Sequence, residues 1–264
     1  MRILVCFKVN RDIEHITPSE LCDLRDGKLD LSIFKNRFGV YDEAALENAL
    51  RLADSVKQMG YPATVDAVTV GECDERFAKD LYSLGFETVY RIHIEECETR
   101  PPELIAKSIG ELVEKNNDYY AIFTGKQSCP SESGQVPYIL AACLRMPCMP
   151  DVLEVRLGNN GIIATTKTEV GTSTRVVHGP AVYIVGDAIH PYLRAATLRE
   201  RLGANSRSVK EYIPKIHNLY MDAGQCLRYM FEPYEKNCEL ITGETVEEKT
   251  KMLWEQCLMG MNNI

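Results

Sequence analysis

Segments patterned as buried strands alternate with segments patterned as amphipathic helices from residue 2 to about residue 147, and few architectures accept that alternation. RILVCFKV (2–9) is apolar and β-branched almost throughout, as a strand covered on both faces must be. YDEAALENALRLADSVKQMG follows. Its Ala45, Leu46, Ala49, Leu50, Ala53 and Val56 form one stripe, acids crowd the first turn and Gly60 stops it. ATVDAVTVG is the next strand, closed by Gly71, and DERFAKDLYSLG the next helix, closed by Gly85. TVYRIHI then reads as a strand and PELIAKSIGELVEKN as a helix, with Leu104, Ile105, Ser108, Ile109 and Leu112 inward. DYYAIFTG is a strand that feeds the helix VPYILAACL. The pattern predicts an α/β chain with a doubly wound, mostly parallel sheet. Residues 10–38 read as an irregular polar excursion with Asp26-Gly27 as a turn.

Beyond residue 147 the pattern changes. DVLEVRLGNNGIIATTKTEVGTSTRVVHGPAVYIVG predicts a β-hairpin insert with Asn160-Gly161 as its turn, and PAVYIVG returns to the sheet. Residues 194–204 are a short basic helix or loop, and 205–240 read as irregular. Thr245 and Glu248 form a T-x-x-E capping box that opens a terminal helix. Its apolar stripe is Val246, Thr250, Leu253, Cys257, Leu258 and Met261. With Trp254 and Met259 it reads as an arm for a partner rather than as core. The expected division is an α/β domain at 1–204 and a C-terminal arm at 205–264.

A net charge of −8 argues against general nucleic-acid or anionic-membrane binding. No window approaches 18 uncharged apolar residues, so no membrane span is expected. The opening MRILVCFKV reads as a strand rather than a signal peptide, and a cytoplasmic location is expected. Ten cysteines (6, 22, 73, 97, 129, 143, 148, 226, 238, 257) contain no CxxC pair and read as free buried thiols, not metal ligands. His178 and His190 lack an acid or cysteine neighbour at motif spacing, so no catalytic residue is predicted.

The stretch TGKQSCPSESGQVPYILAACL (124–144) leaves a strand, crosses a polar turn and enters a helix. Ser133 reads as the helix cap and Gly134 as a point of close backbone approach. The free amides of such a helix start either hold an anion or are merely capped. The turn is neither GxGxxG nor a Walker A loop, and it lacks the SGGxDS loop of nucleotide-cleaving relatives of this sheet type. Lys8, Gly71 and Gly125 end predicted strands and line one rim, the default ligand site of such sheets. Lys8 faces either a phosphate or solvent. Arg194, Arg199 and Arg201 form a small basic face that meets an acidic partner, a flavin pyrophosphate or only water.

GKQSCPSESGQV resembles the G-K-Q-A-I-D-G-D-T-G-Q-V stretch of the electron transfer flavoprotein β subunit. ILVCFKV, YDEAALENALRL, AVTVG, GPAVYIVG, ATLRERLGA and ELITGETVEEKTKMLWEQCL resemble further segments of that family, in order and spacing over nearly the whole chain. Pro130, Ser131 and Glu132 stand where the family has D-G-D, and Gly39-Val40 where it has N-P. The resemblance implies an adenine-nucleotide-hydrolase-like sheet and a C-terminal arm that embraces an α subunit. It implies FAD held mostly by that α subunit, and AMP or a second FAD in this one. By position it implies that Cys6 lies against the adenosine, with Phe7 and Lys8 beside it among the cofactor-binding residues. Gly39, Val40, Tyr41 and Asp42 pass the adenine, with Val70 and Gly71 at the second strand end. Gly125, Lys126, Gln127, Ser131, Glu132, Ser133, Gly134, Gln135 and Val136 wrap the phosphate, the last three by their amides. Leu198 falls where a leucine docks a partner flavin dehydrogenase such as an acyl-CoA dehydrogenase. Two rival classes are a stand-alone adenine-nucleotide-binding module of stress-protein type, without redox work, and a nucleotide-cleaving enzyme of the same sheet family.

Overall fold

A computed structural model describes residues 1–12, 16–17, 20, 33–71, 74–94, 101–116, 118–129, 132–204, 206–215 and 240–255. Two compact units, Met1–Cys226 and Leu227–Ile264, divide the chain. The first is built on a nine-stranded sheet, largely parallel. Its strands are β1 (Arg2–Cys6), β4 (Thr64–Val70), β5 (Val89–Ile92), β6 (Tyr119–Gly125), β7 (Cys148–Gly158), β8 (Gly161–Thr168), β9 (Gly171–Val177), β10 (Ala181–Val185) and β11 (Lys210–Tyr212). A separate two-stranded ribbon pairs β2 (Val9–Arg11) with β3 (Asn36–Phe38).

The sheet order is β11-β5-β4-β1-β6-β10-β7-β8-β9. From β1 the chain passes through α1 (Val40–Gln58) to β4 and through α2 (Glu75–Ser83) to β5. It then crosses back through α3 (Pro102–Asn116) to β6 on the other side of β1, and α4 (Val136–Leu144) leads on toward β7. The chain therefore leaves β1 and β6 in opposite directions, which makes the gap between their carboxyl ends the switch point.

Alternation along the strands feeds two cores. Ile3, Val5, Ala67, Ala121 and Phe123 pack with α1 and α2 on one face; Leu4, Val68 and Ile122 pack with α3 and α4 on the other. The stripe of α1 is buried as expected, and Asp42, Glu47 and Asn48 are buried beside it, so this helix is covered nearly all round. Gly60, at φ +84, ends α1 with its amide on the Lys57 carbonyl at 2.9 Å, a left-handed cap that a side chain would strain.

Three readings are corrected. The 10–38 excursion is not wholly irregular, because Val9–Arg11 and Asn36–Phe38 pair antiparallel at its two ends. The hairpin turn lies one residue early: Gly158 pairs with Gly161, leaving Asn159 and Asn160 as the two loop residues. Residues 205–240 contain a strand, since Lys210–Tyr212 adds parallel to β5 at the sheet edge. Its short, charged, poorly periodic sequence carries no strand signal. A short helix, α5 (Leu198–Ala204), follows β10.

In the second unit, α6 (Val246–Leu253) opens on the expected box. The Thr245 side chain accepts from the Glu248 amide at 3.2 Å, and the Glu248 carboxylate accepts from the Glu244 amide at 3.0 Å. Val246, Leu253 and Trp254 are exposed, while Cys257, Leu258, Met259 and Met261 lie outside the described residues. No helix among the described residues is long and apolar enough to cross a membrane.

At the amino ends of the strands the buried Asp66 carboxylate is shared by three donors: the Arg2 guanidinium at 2.7 Å, the Tyr119 hydroxyl at 2.8 Å and the Thr88 amide at 3.0 Å. Burial and the Asp66 charge hold the Tyr119 hydroxyl in its protonated form. Asp66→Ala leaves the Tyr119 hydroxyl and the Thr88 amide without this acceptor and Arg2 with Asp118 alone, and is expected to lower stability by about 3–5 kcal/mol, read as a fall in the urea midpoint.

Candidate functional site

The crevice at the switch point is shaped by the first turn of α1. Gly39 is the helix N-cap, Val40 and Tyr41 follow, and Asp42 turns inward. The Asp42 carboxylate accepts the Lys8 amide at 3.0 Å, just past β1, and the backbone of Gly125 at the end of β6. Its place in the first helical turn adds the favourable end of the helix dipole. A methyl group on Gly125 would run into the Asp42 carboxylate and lie 2.9 Å from the Asp42 nitrogen, so the end of β6 touches α1 backbone to backbone. A methyl group on Gly39 would lie 2.7 Å from the same carboxylate and 3.4 Å from the Asn10 side-chain nitrogen.

Burial raises the Asp42 carboxyl to about 7, against the pull of the Lys8 and Gly125 backbone bonds and the Lys8 charge. Cys6, the last residue of β1, has its thiol pushed up by burial and then by the Asp42 charge. Phe7 is buried with its ring edge-on to Phe38 at 5.7 Å. Lys8 is half-buried, and its ammonium donates to the Cys129 carbonyl at 2.5 Å, bridging the end of β1 to the turn after β6.

The turn beyond β6 begins with the Lys126 amide on the Val185 carbonyl at 2.9 Å. The Lys126 ammonium pairs with Asp151 at 2.7 Å, which raises its pKa. Gln127 and Ser128 follow, and the Glu132 amide returns to the Ser128 carbonyl at 2.9 Å with Glu132 in the left-handed region at φ 47. Gly134, at φ 63, brings its backbone so near the Lys126 carbonyl that a methyl group would lie 3.2 Å from it. Ser133 does not cap α4. Gln135 is the N-cap and makes no side-chain bond, while Pro137 in the first turn sets the helical φ. The amides of Gly134, Gln135 and Val136 make no hydrogen bond to a described residue, which fits an anion seat at this turn. Ser131 lies outside the described residues.

The structure therefore brings Lys8, Gly39, Asp42 and Gly125 into one contact set, with Cys6 and Phe7 beneath it. Val70 and Gly71 end β4, one strand away, and the Gly71 amide donates to the Ile92 carbonyl on the far side at 2.9 Å. Sequence reasoning missed Asn10, Asp151 and Asp187. Asp187 pairs with Lys167 at 2.6 Å, and Asp151, at φ 50, marks an irregular point in β7. Neither carried a motif, because each is an isolated acid in a turn or strand.

The basic face is also revised. Arg194 is committed to the buried Glu47, with several bonds of 2.9–3.2 Å, and to Asp54 at 2.7 Å. The Leu193 amide donates to Glu43 at 3.1 Å. These bonds fasten the segment before α5 onto α1. Leu198 opens α5 with its side chain exposed, as does Leu202 one turn on. Thr197 and Glu200 cap that helix reciprocally. Of the described cysteines, Cys6, Cys129 and Cys148 are half-buried free thiols, but Cys143 is exposed, because its position on α4 faces away from the sheet.

These features define a doubly wound α/β protein whose switch point is packed with Gly39, Gly125 and Asp42, beside a turn whose amides at 134–136 bond no described residue. The electron transfer flavoprotein domain matches residues 35–214, and the chain belongs to that family. It is 31% identical over 263 residues, covering 98% of both chains, to YgcR of Escherichia coli (strain K12), a protein named provisionally as an electron transfer flavoprotein subunit. It is 28% identical over 171 residues to the electron transfer flavoprotein subunit beta of Bacillus subtilis (strain 168), covering 64% of this chain and 62% of that one.

Gly125→Ala is expected to destabilise the fold by about 1–3 kcal/mol through overpacking against α1, measured as a lowered Tm. The raised Asp42 pKa also has a signed consequence. The folded state binds this proton more tightly than the unfolded chain, whose carboxyl titrates near 4. Stability from this group is full below pH about 4 and is lost as pH rises through about 7. The urea-midpoint difference, wild type minus Asp42→Asn, should fall across that window and flatten above it.

Proposed function

We propose that this chain is the β-type subunit of a heterodimeric electron transfer flavoprotein. It binds AMP or a second FAD in the switch-point crevice. The phosphate lies at the turn 126–135, and Cys6, Phe7, Lys8, Gly39, Val40, Tyr41, Asp42, Val70 and Gly71 line the rest. The observation that carries the reading is the turn itself: the Gly134 backbone pressed against the Lys126 carbonyl, with the amides of Gly134 and Gln135 bonded to no described residue beside α4. The beta-subunit name of the Bacillus relative and the family match over residues 35–214 support it.

In this reading an α subunit holds the principal FAD, and the flavin supplies the electron-transfer chemistry. The residues of this chain bind and orient; none acts as acid, base or nucleophile. The C-terminal arm beyond the sheet, with Val246, Leu253 and Trp254 exposed on its described helix, clamps the α subunit. The exposed Leu198 docks a flavin dehydrogenase such as an acyl-CoA dehydrogenase, and the assembly works in the cytoplasm.

The test is to co-express the chain with an α-type partner, isolate the complex, and count FAD and AMP released by acid. One FAD and one AMP per heterodimer identify a plain carrier. Two FAD and no AMP place a second flavin in this subunit. A stable complex containing no flavin overturns the proposal.

A further inference from the structure

At the switch point of a doubly wound sheet the amides that end the two diverging strands form a natural anion seat. Here that seat is filled by the protein itself. The amide of Lys8, two residues past β1, and the backbone of Gly125, the last residue of β6, both bond the Asp42 carboxylate. We propose that Asp42 is a positioning and specificity-determining residue of the crevice: it takes the strand-end amides for itself, turning a bound nucleotide's phosphate away toward the turn at 126–135 and leaving uncharged base or ribose beside it. This rests on the nucleotide-binding reading above.

Space and charge both support it. A methyl group fits on neither Gly39 nor Gly125 without meeting the Asp42 carboxylate, so there is no room for a second anion between them. The carboxylate's field is felt at its neighbour, since it adds to the raising of the Cys6 thiol, and a phosphate at similar range meets the same repulsion. The positive charge lies on the other side. Lys8 sends its ammonium to the Cys129 carbonyl, in the turn that carries the Gly134 and Gln135 amides, which bond no described residue. The crevice is thus polarised, with the negative end at Asp42 and the donors at the turn.

Isothermal titration of the full chain, co-expressed with its partner subunit, compares adenosine with AMP at pH 8, above the Asp42 titration. In Asp42→Asn the affinity for AMP relative to adenosine should rise about tenfold, the size of one screened charge at close range. A merely structural role weakens both ligands alike, and an unchanged ratio overturns the proposal while leaving the nucleotide site standing. Wild-type protein that binds neither ligand overturns the nucleotide reading and this inference together. If Asp42→Asn fails to fold, a crystal structure of the wild type with AMP decides. Phosphate on the Gly134 and Gln135 amides, with Asp42 still on Lys8, supports the inference. Phosphate on the Lys8 and Gly125 amides, with Asp42 displaced, overturns it.

Discussion

A single buried carboxylate fixes how the first helix meets the sheet. Asp42 binds backbone from the ends of two strands that the chain leaves in opposite directions, and so pins the start of α1 over the gap between them. That contact is possible because Gly125 and Gly39 carry no side chain where the carboxylate lies. The helix it holds is buried nearly all round, with a row of alanines facing the strands. Small residues let the helix sit close to the strand ends.

Other ionic contacts act as fasteners in the same manner. Asp66 joins β4 to Arg2 and Tyr119 on β1 and β6 at the amino ends of the strands. Glu47, buried on α1, takes the Arg194 guanidinium and amide and so sets where the chain runs before α5. Buried pairs of this kind add little net stability because desolvation offsets their attraction, yet removing one partner is costly. Their effect is to specify one arrangement: strand ends, helix start and exposed Leu198 are tied to a common frame.

Much of this was legible in the sequence. Strands 2–6, 64–70 and 119–125 and the helix Pro102–Asn116 follow from periodicity, since one-sided or two-sided burial leaves a direct imprint on residue order. The family was legible too, from GKQSCPSESGQV and six other segments. What failed has a common cause. The cap given to Ser133 belongs to Gln135, the Asn160-Gly161 turn is Asn159-Asn160, and β11 was read as irregular. Each depends on one or two residues whose conformation is set by neighbours distant in the chain, not by local propensity.

The order of apolar and polar residues by itself determined the alternating elements and the doubly wound class, because burial periodicity and strand direction suffice for those. Only the tertiary structure decided what the rim's side chains do. It tied Lys8 to the Cys129 carbonyl, and Arg194 from the expected basic face to the buried Glu47. It made Asp42, one of several acids in a helix's first turn, the group that fills the switch point. The reason is physical: a charge acts through its distance to other charges and amides, and those distances are set between elements whose residues lie 34 to 147 positions apart in sequence.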